Sequence, residues 1–193
     1  MFTLDFKKHF NIDRLGTEQE GEAHFKAIKK LILQTPETEN IIFDLSGMAV
    51  FSHSYAKQTI AMLYNELCGG KFHDRHFFVK AKDKTKADDL QKAMEKIGKA
   101  ILATTLSDPG RFYDDYFLVG PLQPNLKEVL GIIVKKKEVT TGDLLKVLGD
   151  SSIQNASNKV RKLEAMKLIE RTVASDRTGN VFSCRRVDIV QMP

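Results

Sequence analysis

The chain of 193 residues has only two cysteines and five prolines, and no apolar run approaches the ~20 residues needed to span a bilayer. Its opening, MFTLDFKKHF, has no apolar signal core, so a soluble, cytoplasmic protein without a membrane partner is expected. Cys68 and Cys184 lie far apart with no second thiol nearby, which supports neither a zinc site nor a redox pair. P-loop and dinucleotide fingerprints are absent. With 28% charged and 42% apolar residues, the composition excludes disordered, collagenous and disulfide-scaffold classes. At ~100–200 residues per domain, the length fits one large domain or two small ones.

What is present divides unevenly. Residues 1–120 hold 17 Lys and Arg against 17 Asp and Glu, whereas residues 121–193 hold 13 against 8. All the net charge of +5 therefore lies in the last third. Concentrated positive charge suits a polyanion such as nucleic acid, although a solvated basic surface gives the same count. Between the two parts, residues 104–124 contain three of the five prolines and two glycines, with no sustained helical period. This is the chemistry of a connecting strap, and Tyr113, Tyr116, Phe117 and Leu118 imply that it packs.

Before the strap, strands alternate with helices. Phe2–Phe6 alternates with period two, and Phe25, Ile28, Leu31 and Ile32 fall at helical spacing behind a Thr17–Glu20 capping box. Ile41–Leu45 and Phe77–Val79 read as buried strands, and Ile101-Leu102 as the start of a last one. Tyr55, Ala56, Thr59, Ile60, Leu63 and Leu67 mark a second helix ending at Gly69-Gly70, and Leu90, Met94 and Ile97 a third. The sum is a small α/β sandwich over residues 1–103. After the strap the pattern changes. A helix carries Leu126, Val129, Leu130, Ile133 and Val134. A short helix capped by Thr140 and Asp143 follows and ends at Gly149. A longer helix begins near Ser151, and two β-like arms lie around 175–180. Helix, short helix, turn, longer helix and β-hairpin is the order of a winged helix-turn-helix over residues 125–193.

The longer helix carries the most chemistry. With successive residues ~100° apart and Ile153 at 0°, Ala156, Val160 and Leu163 fall at about 300°, 340° and 280°. They make one apolar stripe with Ile153. The opposite side holds Ser151, Gln154, Asn155, Asn158, Arg161 and Lys162, and no acid. Amides pair bidentately with adenine and Arg with guanine, while Ser and Lys hold phosphates. Recognition helices present their N-terminal half to base edges, which singles out Gln154, Asn155 and Asn158 and leaves Arg161 and Lys162 to the backbone. An ordinary solvent-facing side is the competing reading, but such faces mix Glu with Lys. On the hairpin, Gly179-Asn180 suits a tight turn, Arg177 lies at the tip and Arg171, Arg185 and Arg186 stand on the arms. A tip Arg can enter a neighbouring minor groove. The stretch from Ser151 to Arg171 resembles the recognition helix and first wing strand of winged-helix transcriptional regulators.

In the first part, Ile41-Ile-Phe-Asp-Leu-Ser-Gly-Met-Ala-Val-Phe-Ser-His-Ser-Tyr-Ala-Lys57 resembles the signature of STAS-like domains, relatives of bacterial anti-anti-sigma factors. The family pattern is a strand ending in Asp (here Asp44), a crossing, then serines opening a helix. Arg14–Gly21 is similar to the approach to the first helix in the uncharacterised STAS-like branch. The resemblance implies a loop where phosphorylation of a serine switches partner binding. His53 takes the switching position in this chain, with Ser52 and Ser54 beside it. The physical basis is that a helix N-terminus welcomes phosphate. Simple capping of the helix by one serine is the competing reading.

Other polar groups carry less. His73 and His76 precede a strand without a second ligand pair, and Asp88-Asp89 and Asp114-Asp115 lack a nucleophilic companion. Lys80–Lys86 holds four lysines and reads as a solvated loop. The resulting expectation is not an enzyme and needs no metal or cofactor. It is a regulator that binds double-stranded DNA, with the first domain receiving a signal or mediating assembly, and a homodimer is expected by analogy. The alternative is a signalling module whose winged helix binds protein and whose serine loop docks a partner.

Overall fold

A computed structural model describes the chain apart from residues 85–86, 150–151, 177–178, 186 and 188–193, and gives backbone alone for 109–110, 172–176 and 179–185. It is a mixed α/β protein of two compact units, Met1–Pro121 and Leu122 to Val187. No helix among the described residues is long and apolar enough to cross a membrane.

The first unit is built on a sheet of order β1-β3-β5-β6-β7, formed by Phe2–Asp5, Ile41–Asp44, Phe77–Lys80, Ile101–Thr104 and Tyr116–Val119. The first four strands are parallel and β7 is antiparallel to β6. Each crossover steps in the same direction, so right-handed connections place their helices on one face. Alternation follows from this. Ile41 and Phe43, Phe77 and Val79, Ile101 and Ala103 pack in one cluster with the helices, while Ile42, Phe78 and Leu102 are buried outside that cluster. Phe112 covers Phe78, with ring centroids 5.2 Å apart. Because β3, β5 and β6 are covered on both sides, they read as unbroken apolar runs.

The helices are α1 (Phe6–Phe10), α2 (Glu18–Gln34), α3 (His53–Ala56), α4 (Met62–Cys68) and α5 (Asp88–Ile97). A π turn, Lys57–Ala61, joins α3 to α4. The Thr17–Glu20 capping box is formed at the head of α2. Gly21 lets α2 approach the π turn, since a Cβ there would sit 2.8 Å from the Gln58 Cβ. Two expectations need correction. Phe6 opens α1 rather than closing a strand, because Asp5 caps the helix by accepting from the Lys8 amide at 3.0 Å. The strap is not a separate connector up to Pro121, because Tyr116–Val119 is an edge strand and the segment belongs to the first unit. Leu118 and Phe117 alternate across the sheet as strand residues do.

In β3, β5 and β6 the polar side chains lie at the strand ends. Lys80 donates to Asp44 at 2.8 Å, and the Ser46 amide and hydroxyl also donate to Asp44. Lys80 is therefore a buried-edge partner rather than part of a solvated loop. Burial disfavours the Asp44 carboxylate, but the bonds from Lys80 and Ser46 outweigh it and hold the group below the usual carboxylate range. At the other end of the sheet, Arg75 is 2% exposed and closes the C-terminus of α2. Its guanidinium donates to the Ile32 and Thr35 carbonyls, the latter at 2.6 Å, and to Glu37 O at 3.4 Å. The Ile32 carbonyl also accepts from the Thr35 amide and hydroxyl, so Arg75 adds to the cap of α2 there and serves two further carbonyls beyond the helix end.

The second unit comprises α6 (Pro124–Lys136), β8 (Glu138–Thr140), α7 (Thr141–Leu148), α8 (Ile153–Ala165), β9 (Glu170–Asp176) and β10 (Gly179–Arg185). The strands form a sheet of order β8-β10-β9, antiparallel throughout. Leu126, Val129, Leu130, Ile133 and Val134 are buried along α6. Thr140 and Asp143 form a second capping box, and Gly149 ends α7 at φ 62°. Gly179 and Asn180 do not make the hairpin turn, since they pair with Asp176 and Ser175 as strand residues.

All four tyrosines lie in the first unit and the chain has no tryptophan, so tyrosine fluorescence reports on that unit alone. Arg75→Ala removes the donor to the part-buried Thr35 and Glu37 carbonyls, while the Ile32 carbonyl keeps the Thr35 amide and hydroxyl, and is expected to lower the unit's stability by about 1–3 kcal/mol, read from the urea midpoint. Asp44→Asn tests the strand-end pair. The folded-state pKa of Asp44 is depressed, so its contribution is present at neutral pH and is lost as pH falls below the ordinary value of about 3.9. The difference in Tm between wild type and Asp44→Asn is expected to be widest near pH 7 and to close in acid.

Candidate nucleic-acid interface and serine loop

In α8 the apolar stripe sets the orientation. Ala156, Val160 and Leu163 are buried, and Ser152 caps the helix by accepting from the Asn155 amide at 3.2 Å. With that side held inward, Gln154, Asn155, Asn158, Arg161 and Lys162 are all exposed on the opposite side. They span three turns of one helix and carry two fixed positive charges among neutral amides. Glu164, the one acid of α8, is held 3.3 Å from Arg171. That pair ties Arg171, at the start of β9, to the body of the unit. Ser151 and Arg177 lie outside the described residues, as does the side chain of Arg185, whose backbone belongs to β10. Cys184 is likewise described only as a β10 backbone position.

Ile153 departs from the periodicity. Placed with the stripe by its angle, it is 61% exposed. It is the first residue of α8, at the edge of the buried face, where the helix has no preceding turn to lie against. Helical spacing assigns a side but not how far the core extends along it.

The serine loop joins β4 (Val50–Phe51) to α3, and β4 pairs in parallel with β2 (Arg14–Leu15). Ser52 is the N-cap: its hydroxyl accepts from the Tyr55 amide at 3.3 Å and donates to the Gly16 carbonyl at 2.6 Å. The capping reading of Ser52 thus has its geometry. His53 is half-buried, and its Nε2 is buried without a hydrogen-bond partner among the described residues. Ser54 alone of the three is exposed. Beneath the loop, Tyr55 is buried and its hydroxyl meets His24 Nδ1 at 2.9 Å. A cleft of about 390 Å³ runs beside the crossing, lined by Met48, Val50 and Phe51 and by Asp88, Asp89 and Lys92 at the head of α5.

The remaining polar groups are dispersed. His73 Nε2 lies 3.1 Å from Glu37, while His76 is buried at the start of β5. Among the described residues, no three His, Cys, Asp or Glu side chains converge as metal ligands would. Asp114 pairs with Arg111 at 3.0 Å, and Asp115 accepts from Thr105 at 2.8 Å.

Comparison with protein-family models, with curated proteins and with solved structures finds no match. The geometry of α8 and of the serine loop is therefore the basis for any functional reading.

The two serines are expected to behave differently on truncation. Ser52→Ala removes a cap and the bond to Gly16 and should cost about 1 kcal/mol in a urea titration, whereas Ser54→Ala should stay within about 0.5 kcal/mol.

Proposed function

We propose that this chain is a DNA-binding transcriptional regulator in which residues 122–187 act as a winged helix and residues 1–121 as a STAS-like domain that receives a signal or mediates assembly. The observation that carries the reading is the exposed face of α8, where Gln154, Asn155 and Asn158 stand with Arg161 and Lys162 and no free acid. Amides and guanidinium groups on one side of a helix match base edges in a major groove, and the two cations match phosphates. Support comes from the order of α6, β8, α7, α8, β9 and β10, which is the order of a winged helix-turn-helix, and from the excess of basic residues after residue 120. A homodimer on two half-sites fits this class of reader.

A protein partner at the serine loop is the second reading. It is favoured by the exposed Val50 beside the cleft at Met48 and Phe51, and by the exposure of Ser54. It is compatible with the first, since it uses the other unit. Val50→Asp would remove partner binding there and leave any DNA affinity unchanged.

The deciding experiment is a fluorescence-anisotropy titration of the full chain on mixed genomic duplexes between ~50 and ~200 mM salt, where phosphate contacts show as a steep loss of affinity. Arg161→Ala with Lys162→Ala is expected to lower the salt slope by about 2, one for each phosphate contact removed. On a selected duplex, Gln154→Ala or Asn158→Ala should cost about 1–3 kcal/mol and have little effect on random sequence. Absence of binding at low salt would rule out the DNA reading and leave the serine loop as the working surface.

A further inference from the structure

We infer that His24 makes the serine loop sensitive to pH: as a neutral imidazole it accepts the Tyr55 hydroxyl proton and holds the first turn of α3, and on protonation it releases that hydroxyl and loosens the loop. The inference stands on the first unit and is independent of the DNA-binding reading. Tyr55 is fixed at three points. Its amide donates to the Ser52 hydroxyl at 3.3 Å, its carbonyl accepts from the Thr59 hydroxyl at 2.8 Å, and its own hydroxyl meets His24 Nδ1 at 2.9 Å. Of these three partners, only His24 titrates near neutral pH. The Tyr55 side chain is fully buried, and among the described residues its hydroxyl has no second partner. Burial pushes the phenol above its ordinary range, so Tyr55 keeps its proton. A bare Nδ1 accepts that proton. An imidazolium carries a donor on both nitrogens and accepts nothing, so protonation leaves a buried O–H unpaired.

Phe10 lies flat against His24, with ring centroids 3.7 Å apart and planes 10° apart. An aromatic face accepts either form of the ring, so the stack positions His24 without fixing its charge. The charged groups on the surrounding elements are largely engaged. Glu20, one turn earlier on α2, accepts from the Gly16 and Thr17 amides and the Thr17 hydroxyl. On α1, His9 stands edge-on to Phe10, Lys8 pairs with Asp5 and Lys7 lies against Gly47. On α3, His53 is two residues from Tyr55 and so about 200° around the helix. In the π turn, Lys57 pairs with Glu18 at 3.4 Å. Burial is the largest influence on His24 and disfavours its cation; Glu20 favours the cation and His9 opposes it, and the group is held below its ordinary range. The contribution of the neutral form is therefore complete above the ordinary value of about 6.5 and is lost as pH falls through the lower folded-state value.

The test uses the full chain. NMR titration of the histidine rings is expected to place His24 below the ordinary value of about 6.5. Amide hydrogen exchange, corrected for the intrinsic rate at each pH, reads the loop. Protection of the Tyr55 amide is expected to fall about fivefold or more between ~pH 7.5 and ~pH 5, the low end of what an unpaired buried hydroxyl costs, while the Phe43 amide in β3 keeps its protection. Tyr55→Phe removes the hydroxyl and keeps the ring, so it should raise the His24 pKa toward the ordinary value and abolish the pH dependence at position 55. His24→Gln keeps an acceptor and does not titrate, so it should abolish the pH dependence as well, and it carries the test if Tyr55→Phe fails to fold. A His24 that titrates at or above the ordinary value overturns the inference, as does equal Tyr55 protection at both pH values or a loss that survives His24→Gln. A His24 pKa unmoved by Tyr55→Phe also overturns it, because burial alone then sets the titration. So does a parallel loss at Phe43, since acid then loosens the whole unit and not the loop.

Discussion

The central constraint on the first unit is that β3, β5 and β6 are buried on both faces. A strand in that position cannot carry a charge along its length, because every side chain enters an apolar layer and desolvation would go uncompensated. Charge is pushed to the strand ends, where Asp44 meets Lys80 at 2.8 Å in register across β3 and β5. The same exclusion explains Arg75. A long helix that ends beside a buried sheet leaves carbonyls away from water, and a guanidinium is the side chain with enough donors to serve several at once. The helix, the turn to β3 and the start of β5 are thereby tied together by one guanidinium.

The second unit solves a smaller problem. A helix of thirteen residues with three buried positions has its outward face decided for it. Ala156, Val160 and Leu163 turn inward, and the amides and cations have no other direction to take. Any binding chemistry of α8 is thus a by-product of core packing, held by the rigid side of the helix rather than by contacts among the polar groups. The backbone of such a face is preorganised, so the ordering cost of meeting a partner falls on its exposed side chains.

Much of this was legible in the sequence because local rules and tertiary structure agree. The capping boxes at Thr17 and Thr140 could be read from spacing, as could the apolar runs at 41–45 and 77–79 and the stripes of α6 and α8. The failures have physical causes. Tyr116–Val119 lies between prolines and glycines that break helices, and nothing local reveals that it turns back to form the antiparallel edge of a sheet whose other strands are parallel. Gly179-Asn180 has turn chemistry but pairs as strand, since register is set by the partner strand and not by the dipeptide. Arg75 gave no signal because its role depends on carbonyls about forty residues away. Ile153 kept the helical phase of the core without its burial. At the serine loop the spacing identified a helix start, and only the folded structure separates Ser52, which caps, from Ser54, which is exposed.

The π turn at Lys57–Ala61 has a consequence for how this chain tolerates change. A π turn holds one more residue than the α-turn it replaces, so the helical run from His53 to Cys68 contains a register shift of about 100°. Tyr55 and Ala56 face the core before the shift, and Leu63, Tyr64 and Leu67 face it after. Deleting any one residue within 57–61 would restore regular hydrogen bonding and yet rotate one end of the run away from the core. The serine loop would be carried with it, because Ser52 caps the first turn. Length is thus a constraint of its own on this stretch, separate from the packing of the buried Thr59, Ile60 and Ala61: a substitution acts where it is made, and a change in the count is felt at both ends.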